Sequence, residues 1–517
     1  MSATEAAQPA IVSRNRTLMI VGVMGAMVLQ TLDTTIANVA LPYMRASLGA
    51  TQETITWVLT SYVMASAVAM PMAGWLVDRV GVRQMMLFSV VLFTAASMLC
   101  GAAQTLEQMV VCRILQGLAG AFLGPLAQTI ILDSSTAAER PKMMSIYVQG
   151  ALMGPIMGPI IGGYLTENYN WRWVFYVNLP LGVLCVLLLL AFLPDTPRRA
   201  RRFDLTGLLL VATTLCALQL ILDRGVTKDW FASSEIVIYA VIAVSAAWMV
   251  IIHHLTTPQP LFPVRLFRDP NFVVGLLFIF LVGVVAYGSL GLLPGLLQDI
   301  YGYPAIDSGI LLASRGIGMF VAMTLFGSRM GKIDPRIAGG SGLILTATSV
   351  HMMTYWSVDM PTWPITLSGM MQGVGLAFMF LPLNLISFAT LPSELRTDAT
   401  SLSGLARNLG SSFGIAAMIV LLSRTIQTSH AEIGESITRQ SIPLEIDRLA
   451  ALGGMSAAPF AVVDGMVNRQ AAMIGYLNDF QVVGYLCFAA LPFLLLVRVK
   501  PVASTAVSAG ASADPGH

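Results

Sequence analysis

The chain has 517 residues, of which 56% are hydrophobic and only 11% charged, far below the roughly 25% charged content of soluble domains. A mean hydropathy of +0.75 therefore points to an all-α polytopic membrane protein, and a net charge of +2 carried on scattered basic residues makes no case for nucleic acid. The five cysteines, Cys100, Cys112, Cys185, Cys216 and Cys487, are odd in number, lie in apolar runs and form no CxxC or Cys/His cluster, which argues against disulfides and a zinc site.

Arg14 and Arg16 precede a first apolar run that superficially resembles a signal peptide. The run is too long for that and lacks a small-x-small cleavage site, so it reads as a retained span. A bilayer core of about 30 Å needs about 20 apolar residues per helix. Fourteen such windows follow in order: Thr17 to Leu41, Ile55 to Val77, Gln84 to Ala103, Met109 to Leu132, Met143 to Leu165, Trp173 to Leu193, Leu205 to Leu222, Ile236 to Ile252, Phe272 to Leu297, Ser308 to Gly327, Ile337 to Tyr355, Trp363 to Ala389, Ala399 to Leu422 and Phe480 to Val497. With both termini inside, the cytoplasmic segments hold eighteen of the 29 lysines and arginines and the short external loops four, and this asymmetry sets the orientation.

The chain also repeats. QGLAGAFLGPLAQ from Gln116 matches QGVGLAFMFLPLN from Gln372, and the same spacing sets Arg140 on Arg396, Ser145 on Ser401, Gly154 on Gly410 and Gly158 on Gly414. Duplication predicts an N-terminal six-helix bundle over 17–193, two inserted helices over 205–252, and a C-terminal six-helix bundle over 272–497. An external loop over 423–479 contains two amphipathic stretches, IPLEIDRLAALGG and AVVDGMVNRQAAMIGYL, expected to be helical on the outer face. Residues 501–517, rich in Ala and Ser, read as a disordered tail.

Between the second and third spans the chain reads GWLVDRVGVRQ, with Gly74, Asp78, Arg79, Gly81 and Arg83 at a tight cytoplasmic turn. In the fifth span Gly150, Gly154, Gly158 and Gly162 recur every four residues beside Pro155 and Pro159, forming a side-chain-free stripe that another helix can approach closely. The turn resembles the signature loop of the major facilitator superfamily, where it latches the outward-facing state, and the Gly-Pro pattern resembles the motif of its antiporters. LDTTIANVALP, NWRWVFYVNLPLG, RRARRFDLTG and LLPGLLQDIYGY, with fourteen spans and the long external loop, resemble the fourteen-helix drug/proton antiporters, the EmrB/QacA group, and lean toward its EmrB-like branch. The second-half copy of the signature loop has Gly331 where Asp78 stands, so the two halves are not expected to latch alike.

Charge inside the bilayer is costly and marks function. By helix rise, Asp33 lies roughly 24 Å above the inner boundary and Arg113 about 7 or 8 Å below the outer one. The two opposite charges therefore share one depth, and the resemblance sets their helices side by side. Asp33 is expected to bind and release the coupling proton, with Arg113 stabilising its ionised form; a static pair ordering two helices is the bland alternative. Asp33 is the only carboxylate that hydropathy places within a span. Arg315 lies in the second bundle, facing an anionic substrate group, Asp299 or a backbone carbonyl, and Arg407 is expected to snorkel or cap near the cytoplasmic end. Gln30, Asn38, Gln116, Gln128, Gln149, Gln372 and Asn384 are cavity candidates, because lipid-facing amides are poorly satisfied.

No Walker loop, GxSxG or HExxH motif occurs, so the expectation is no enzyme and no cofactor, with the proton-motive force as energy source. The leading reading is a proton-coupled exporter of varied hydrophobic or amphipathic compounds in the cytoplasmic (inner) membrane. Its alternatives are a dedicated exporter of one lipid, fatty acid or siderophore-like substrate, or a non-transporting membrane sensor. The family resemblance implies partnership with a periplasmic adaptor and an outer-membrane channel; the external loop reads first as a surface hairpin covering the helix ends and second as a docking surface for such a partner.

Overall fold

A computed structural model describes residues 11–51, 54–136, 138–198, 202–225, 227–330, 333–436 and 458–496. The stretch IPLEIDRLAALGG, Gly331 and the 501–517 tail lie outside the described residues. The N-terminal bundle contains α1 (Arg16–Ser47), a second span formed by α2 (Trp57–Ala69), a 3-10 turn (Met70–Met72) and α3 (Ala73–Val80), then α4 (Val82–Ala102). The fourth span is α5 (Leu106–Gly120) with α6 (Leu123–Asp133); α7 (Arg140–Asn168) and α8 (Trp173–Tyr176) with α9 (Asn178–Phe192) complete the bundle. Two inserted helices follow, α10 (Leu205–Arg224) and α11 (Ser234–Thr256). After the short α12 (Arg265–Arg268), the C-terminal bundle comprises α13 (Pro270–Gly295), α14 (Ala305–Phe326), α15 (Pro335–Met353), α16 (Trp363–Ala389), α17 (Arg396–Ser436) and α18 (Ala458–Ala490).

Local chemistry sets many of these boundaries. Asn15, Thr105, Asp204, Asp269 and Asp334 each accept a first-turn amide at a helix start, and Pro270 and Pro335 occupy opening positions where no amide is missed. Gly81, at φ +93°, makes the turn between α3 and α4 that a side chain would strain.

Among the described residues, thirteen helices are long and apolar enough to cross a membrane. The remaining expected span corresponds to α15, whose sequence PRIAGGSGLILTATSVHMM is rich in small and polar residues; it packs against α16 and α18 within its bundle. The last two spans reach farther than hydropathy suggests. At about 1.5 Å per residue the 41 residues of α17 measure roughly 60 Å, about twice a bilayer core. AVVDGMVNRQAAMIGYL is thus the outer part of the continuous α18 and does not lie flat on the outer face. The two helices pair as a hairpin, with Leu422 and Ile426 against Gly475 and His430 3.2 Å from Asp464.

The duplication is visible as packing. Gly154 and Gly158 of α7 sit against Thr31 and Thr35 of α1, and Gly410 and Gly414 of α17 sit against the Phe280 and Val284 backbone of α13. Gln128 and Asn384, 256 positions apart, meet each other at 3.0 Å, so equivalent residues of the two halves touch on the axis relating them.

Candidate functional site

Asp33 is completely buried, as is Arg113. Its Oδ2 accepts from Arg113 Nη1 at 2.6 Å, and its Oδ1 accepts from Gln116 Nε2 at 2.7 Å and Asn178 Nδ2 at 3.0 Å. Three donors on two oxygens are the coordination of an ionised carboxylate. Arg113 is held in turn: Nε donates to the Val58 carbonyl at 2.9 Å, Nη1 also donates to Gln116 Oε1 at 2.7 Å, and the guanidinium lies 4.4 Å from the Tyr62 ring centroid. Asn178 is steadied by a bond to Ser97 Oγ at 2.9 Å, and Ser97 donates to the Phe175 carbonyl at 3.0 Å. Four spans of one bundle thus converge on one carboxylate. The sequence brings Asp33, Arg113 and Gln116 into view; Asn178 and Ser97 escape it because neither is charged.

The glycine stripe connects this site to the other bundle. A Cβ on Gly154 would lie 2.4 Å from the Thr31 backbone, one on Gly158 would lie 2.1 Å from Thr35 Oγ1, and Thr35 Oγ1 donates to the Gly154 carbonyl at 3.0 Å. Gly150 and Gly162 continue the contact with Met24 and with Ile36 and Val39 of α1. The opposite side of α7 meets the C-terminal bundle, with Ile156 against Gly316, Pro159 against Gly309, and Gln149 Nε2 donating to Thr324 Oγ1 at 3.0 Å.

On the cytoplasmic side several contacts cross between the bundles. Arg396 pairs with Asp133, Ser145 Oγ donates to the Met323 carbonyl at 2.8 Å, and Thr129 meets Thr400 at 3.0 Å. At the signature loop the crossing contact comes from Gly74, where a Cβ would lie 1.8 Å from Asp398 Oδ1. Arg83 turns to its own bundle, donating to Asp195 at 3.2 Å and to the Leu190 carbonyl at 2.8 Å, while Arg79 lies 5.5 Å from the Trp75 ring centroid. Gln128, Gln149 and Asn384 make contacts between the bundles. Asn38 is exposed and bonds its own helix, and Gln30 approaches Gly124.

The second bundle holds a different arrangement. Arg315 donates to Ser289 Oγ at 3.3 Å and to the Ala286 carbonyl; Asp299 is not its partner, and no carboxylate pairs with it among the described residues. Gln372, fully buried, also donates to Ser289 at 3.3 Å. A cavity of about 10 Å³ lies between Arg315, Gln372, Trp356 and Gly369, close to the room one water needs. Gln372 Oε1 and Trp356 Nε1 are buried there without hydrogen-bond partners. Arg407 is partly exposed and sits beside Tyr147 of the N-terminal bundle. Asp33 is also not the only carboxylate within a span, because Asp479 lies inside α18 at 1% exposure.

Residues 23–415 match the family model described as Major Facilitator Superfamily. The chain is 35% identical over 416 residues to the Multidrug export protein EmrB of Escherichia coli, covering 79% of this chain and 80% of that protein. It is 32% identical over 478 residues to the Fatty acid resistance protein FarB of Neisseria gonorrhoeae, covering 92% and 94%. Among solved structures, the human organic anion transporter MFSD10 (TETRAN) superposes with a TM-score of 0.62 at 13% identity, over 92% of this chain and 99% of that one. The proton:xylose symporter XylE gives 0.60 at 13%, over 93% and 95%; these two likenesses speak to fold alone. Helices, internal repeat and relatives agree: the chain belongs to the major facilitator superfamily, as an EmrB-like multi-pass protein of the cytoplasmic membrane.

Proposed function

We propose that this protein is a proton-coupled antiporter exporting varied hydrophobic or amphipathic compounds, with Asp33 as the residue that binds and releases the coupling proton. The observation that carries this reading is the fully buried Asp33–Arg113 pair, whose carboxylate is saturated by donors from two further side chains. Protonating Asp33 removes the charge that holds Arg113, leaving the guanidinium to Gln116 Oε1 and the Val58 carbonyl. A buried cation without its counter-ion is strained, so the helices carrying the pair must shift. Thr31 and Thr35, on either side of Asp33, pass that shift to α7 through the glycine stripe. The far side of α7 then moves α14 and the second bundle, which is the rocking that alternates access.

Arg315, Gln372 and Ser289 supply the substrate-facing counterpart: a cation without a carboxylate, beside unsatisfied polar atoms and apolar walls from Leu293, Leu311 and Ile365. The test is export from energised vesicles. Asp33→Asn protein that inserts normally is expected to lose uphill export, and full proton-driven export by it contradicts the coupling role.

A second reading, a dedicated exporter of fatty acid, has the FarB relative and the unpaired Arg315 cation in its favour. Accumulation compared across cationic dyes, weak-acid uncouplers and fatty acids separates the two. The reading includes a periplasmic adaptor and an outer-membrane channel, with the outer part of the α17–α18 hairpin as the contact segment; copurification of an adaptor that survives trimming of the hairpin argues against that segment.

A further inference from the structure

The proton-coupling scheme leaves one buried acid unused. Asp479, in α18, is 1% exposed, and neither of its carboxylate oxygens has a hydrogen-bond partner. An ionised carboxylate in that setting carries a large desolvation penalty with nothing to offset it, and taking up a proton relieves that penalty. Counting helix rise from Leu496, it lies roughly 25 Å above the inner end, the same height as Asp33 counted from Arg16. The N-terminal bundle places Tyr176 and Asn178 in its last span; the C-terminal bundle places Tyr476, Asn478 and Asp479 in the corresponding one.

The surroundings supply a route from outside. The Tyr476 hydroxyl, one turn before Asp479, would be 2.8 Å from a Cβ on Gly295, and Asp299 Oδ2 would be 3.6 Å from the same point, so phenol and carboxylate flank one spot on α13. Asp299 is exposed and lies in a π-helical turn, Leu296–Ile300, that ends the ninth span, a type of distortion frequent at functional sites. Arg469 fastens α18 to that turn by two bonds to the Ile300 carbonyl, at 3.1 and 2.8 Å. Near Asp479 the other helices face α18 with apolar groups, Leu422 and Ile426 from α17 and Val350 from α15, with Trp356 against the Phe480 ring; His430 of α17 meets α18 at Asp464, about four turns farther out. Tyr476 thus lies near both Asp299 and Asp479, and no cation is among the groups described around Asp479.

We propose that Asp479 is a second proton-binding site, in the C-terminal bundle, loaded from the outer side through Asp299 and Tyr476. A proton on Asp299 passes to the Tyr476 oxygen as the phenol's own proton passes to Asp479, leaving Tyr476 unchanged. The inference rests on the proton-coupled reading for its role in transport, but not for its chemistry, and the two are tested separately.

Infrared difference spectra of the purified full-length protein, recorded from acid to alkaline buffer, are expected to contain the carbonyl band of a carboxylic acid in apolar surroundings. The band disappears in Asp479→Asn and persists in Asp33→Asn. In Tyr476→Phe it persists but exchanges with deuterium more slowly, by on the order of tenfold or more for a lost relay group. In proteoliposomes, Asp479→Asn lowers the number of protons exchanged per substrate while substrate still binds. Absence of the band in the wild-type protein, its survival in Asp479→Asn, or an unchanged proton count in that variant overturns the proposal. If Asp479→Asn does not fold, the wild-type and Tyr476→Phe spectra still decide, and a band that titrates in a protein with no proton-driven export keeps the site while removing the transport reading.

Discussion

The two bundles hold equivalent polar centres with opposite charge bookkeeping. Gln116 bonds Asp33 in the first, and Gln372 bonds Ser289 in the second; both pairs are related by the 256-residue spacing that relates Gln128 to Asn384. The amide and its hydrogen bond were kept, but the carboxylate became a hydroxyl, and the position of Arg113 became Gly369. Arginine returns from another helix as Arg315, on Ser289 with no acid beside it. A saturated ion pair stores a proton-dependent switch, whereas an unpaired cation beside a cavity is free to meet a ligand. On the proposed reading the first centre serves proton coupling and the second recognition, beside the separate buried acid Asp479 of the second bundle.

Breaking the first centre has the largest expected effect. Arg113→Ala leaves Asp33 buried without its cation and should cost about 3–5 kcal/mol of stability, read as a large drop in thermal unfolding temperature. The double variant Asp33→Ala/Arg113→Ala should cost less than the sum of its parts, because the stranded charge is gone. Next comes the connection between the halves. Gly158→Val pushes into Thr35 and Ile36, an overpacking of about 1–3 kcal/mol, and should lower export more than it lowers the melting temperature. Arg315→Gln should fold normally, bind and release the Asp33 proton, and lose about 1.5–3 kcal/mol of affinity for acidic amphiphiles, seen as raised half-saturation in export assays. Equal losses for neutral and acidic substrates would remove the recognition role.

The smallest effect falls on the inserted hairpin, which belongs to neither centre. Asp204 caps α10 and accepts from His253 of α11 at 2.8 Å and from the Leu261 amide at 3.0 Å. Burial pushes its carboxyl up, but the Gly207 amide, His253 and the Leu261 amide outweigh that and hold it below the ordinary value. Its contribution is therefore present above the ordinary carboxylate range and lost as pH falls through the lowered folded value. Proteolysis of the segment joining α11 to α12, where Leu261 lies, should rise modestly in acid for the wild type and at neutral pH for Asp204→Ala.

Hydropathy and the Lys/Arg asymmetry make most of the spans legible, because lipid contact imposes a length and a composition on each helix. They misplace the ends of α17 and α18, whose outer parts are stabilised by pairing with each other through contacts such as Gly475 on Leu422 and Ile426 and not by lipid. The same cut-off hid Asp479, which falls just outside a span drawn from Phe480. The charged members of the first centre are legible as lone charges in apolar runs. Asn178 and Ser97 are not, since a neutral polar residue in a helix has many ordinary explanations. Ser289 was within reach: the internal repeat carries Asp33 onto it. Arg315 was visible as a charge, but its partners are a hydroxyl and a carbonyl, which no charge pattern announces.

The central claim is that the Asp33 carboxylate exchanges its proton against substrate. Protons released on adding substrate to the purified protein in weakly buffered solution measure this directly. The wild type should release protons on binding, and Asp33→Asn, with substrate affinity retained, should release fewer. An undiminished proton count from Asp33→Asn that still binds substrate would contradict the account.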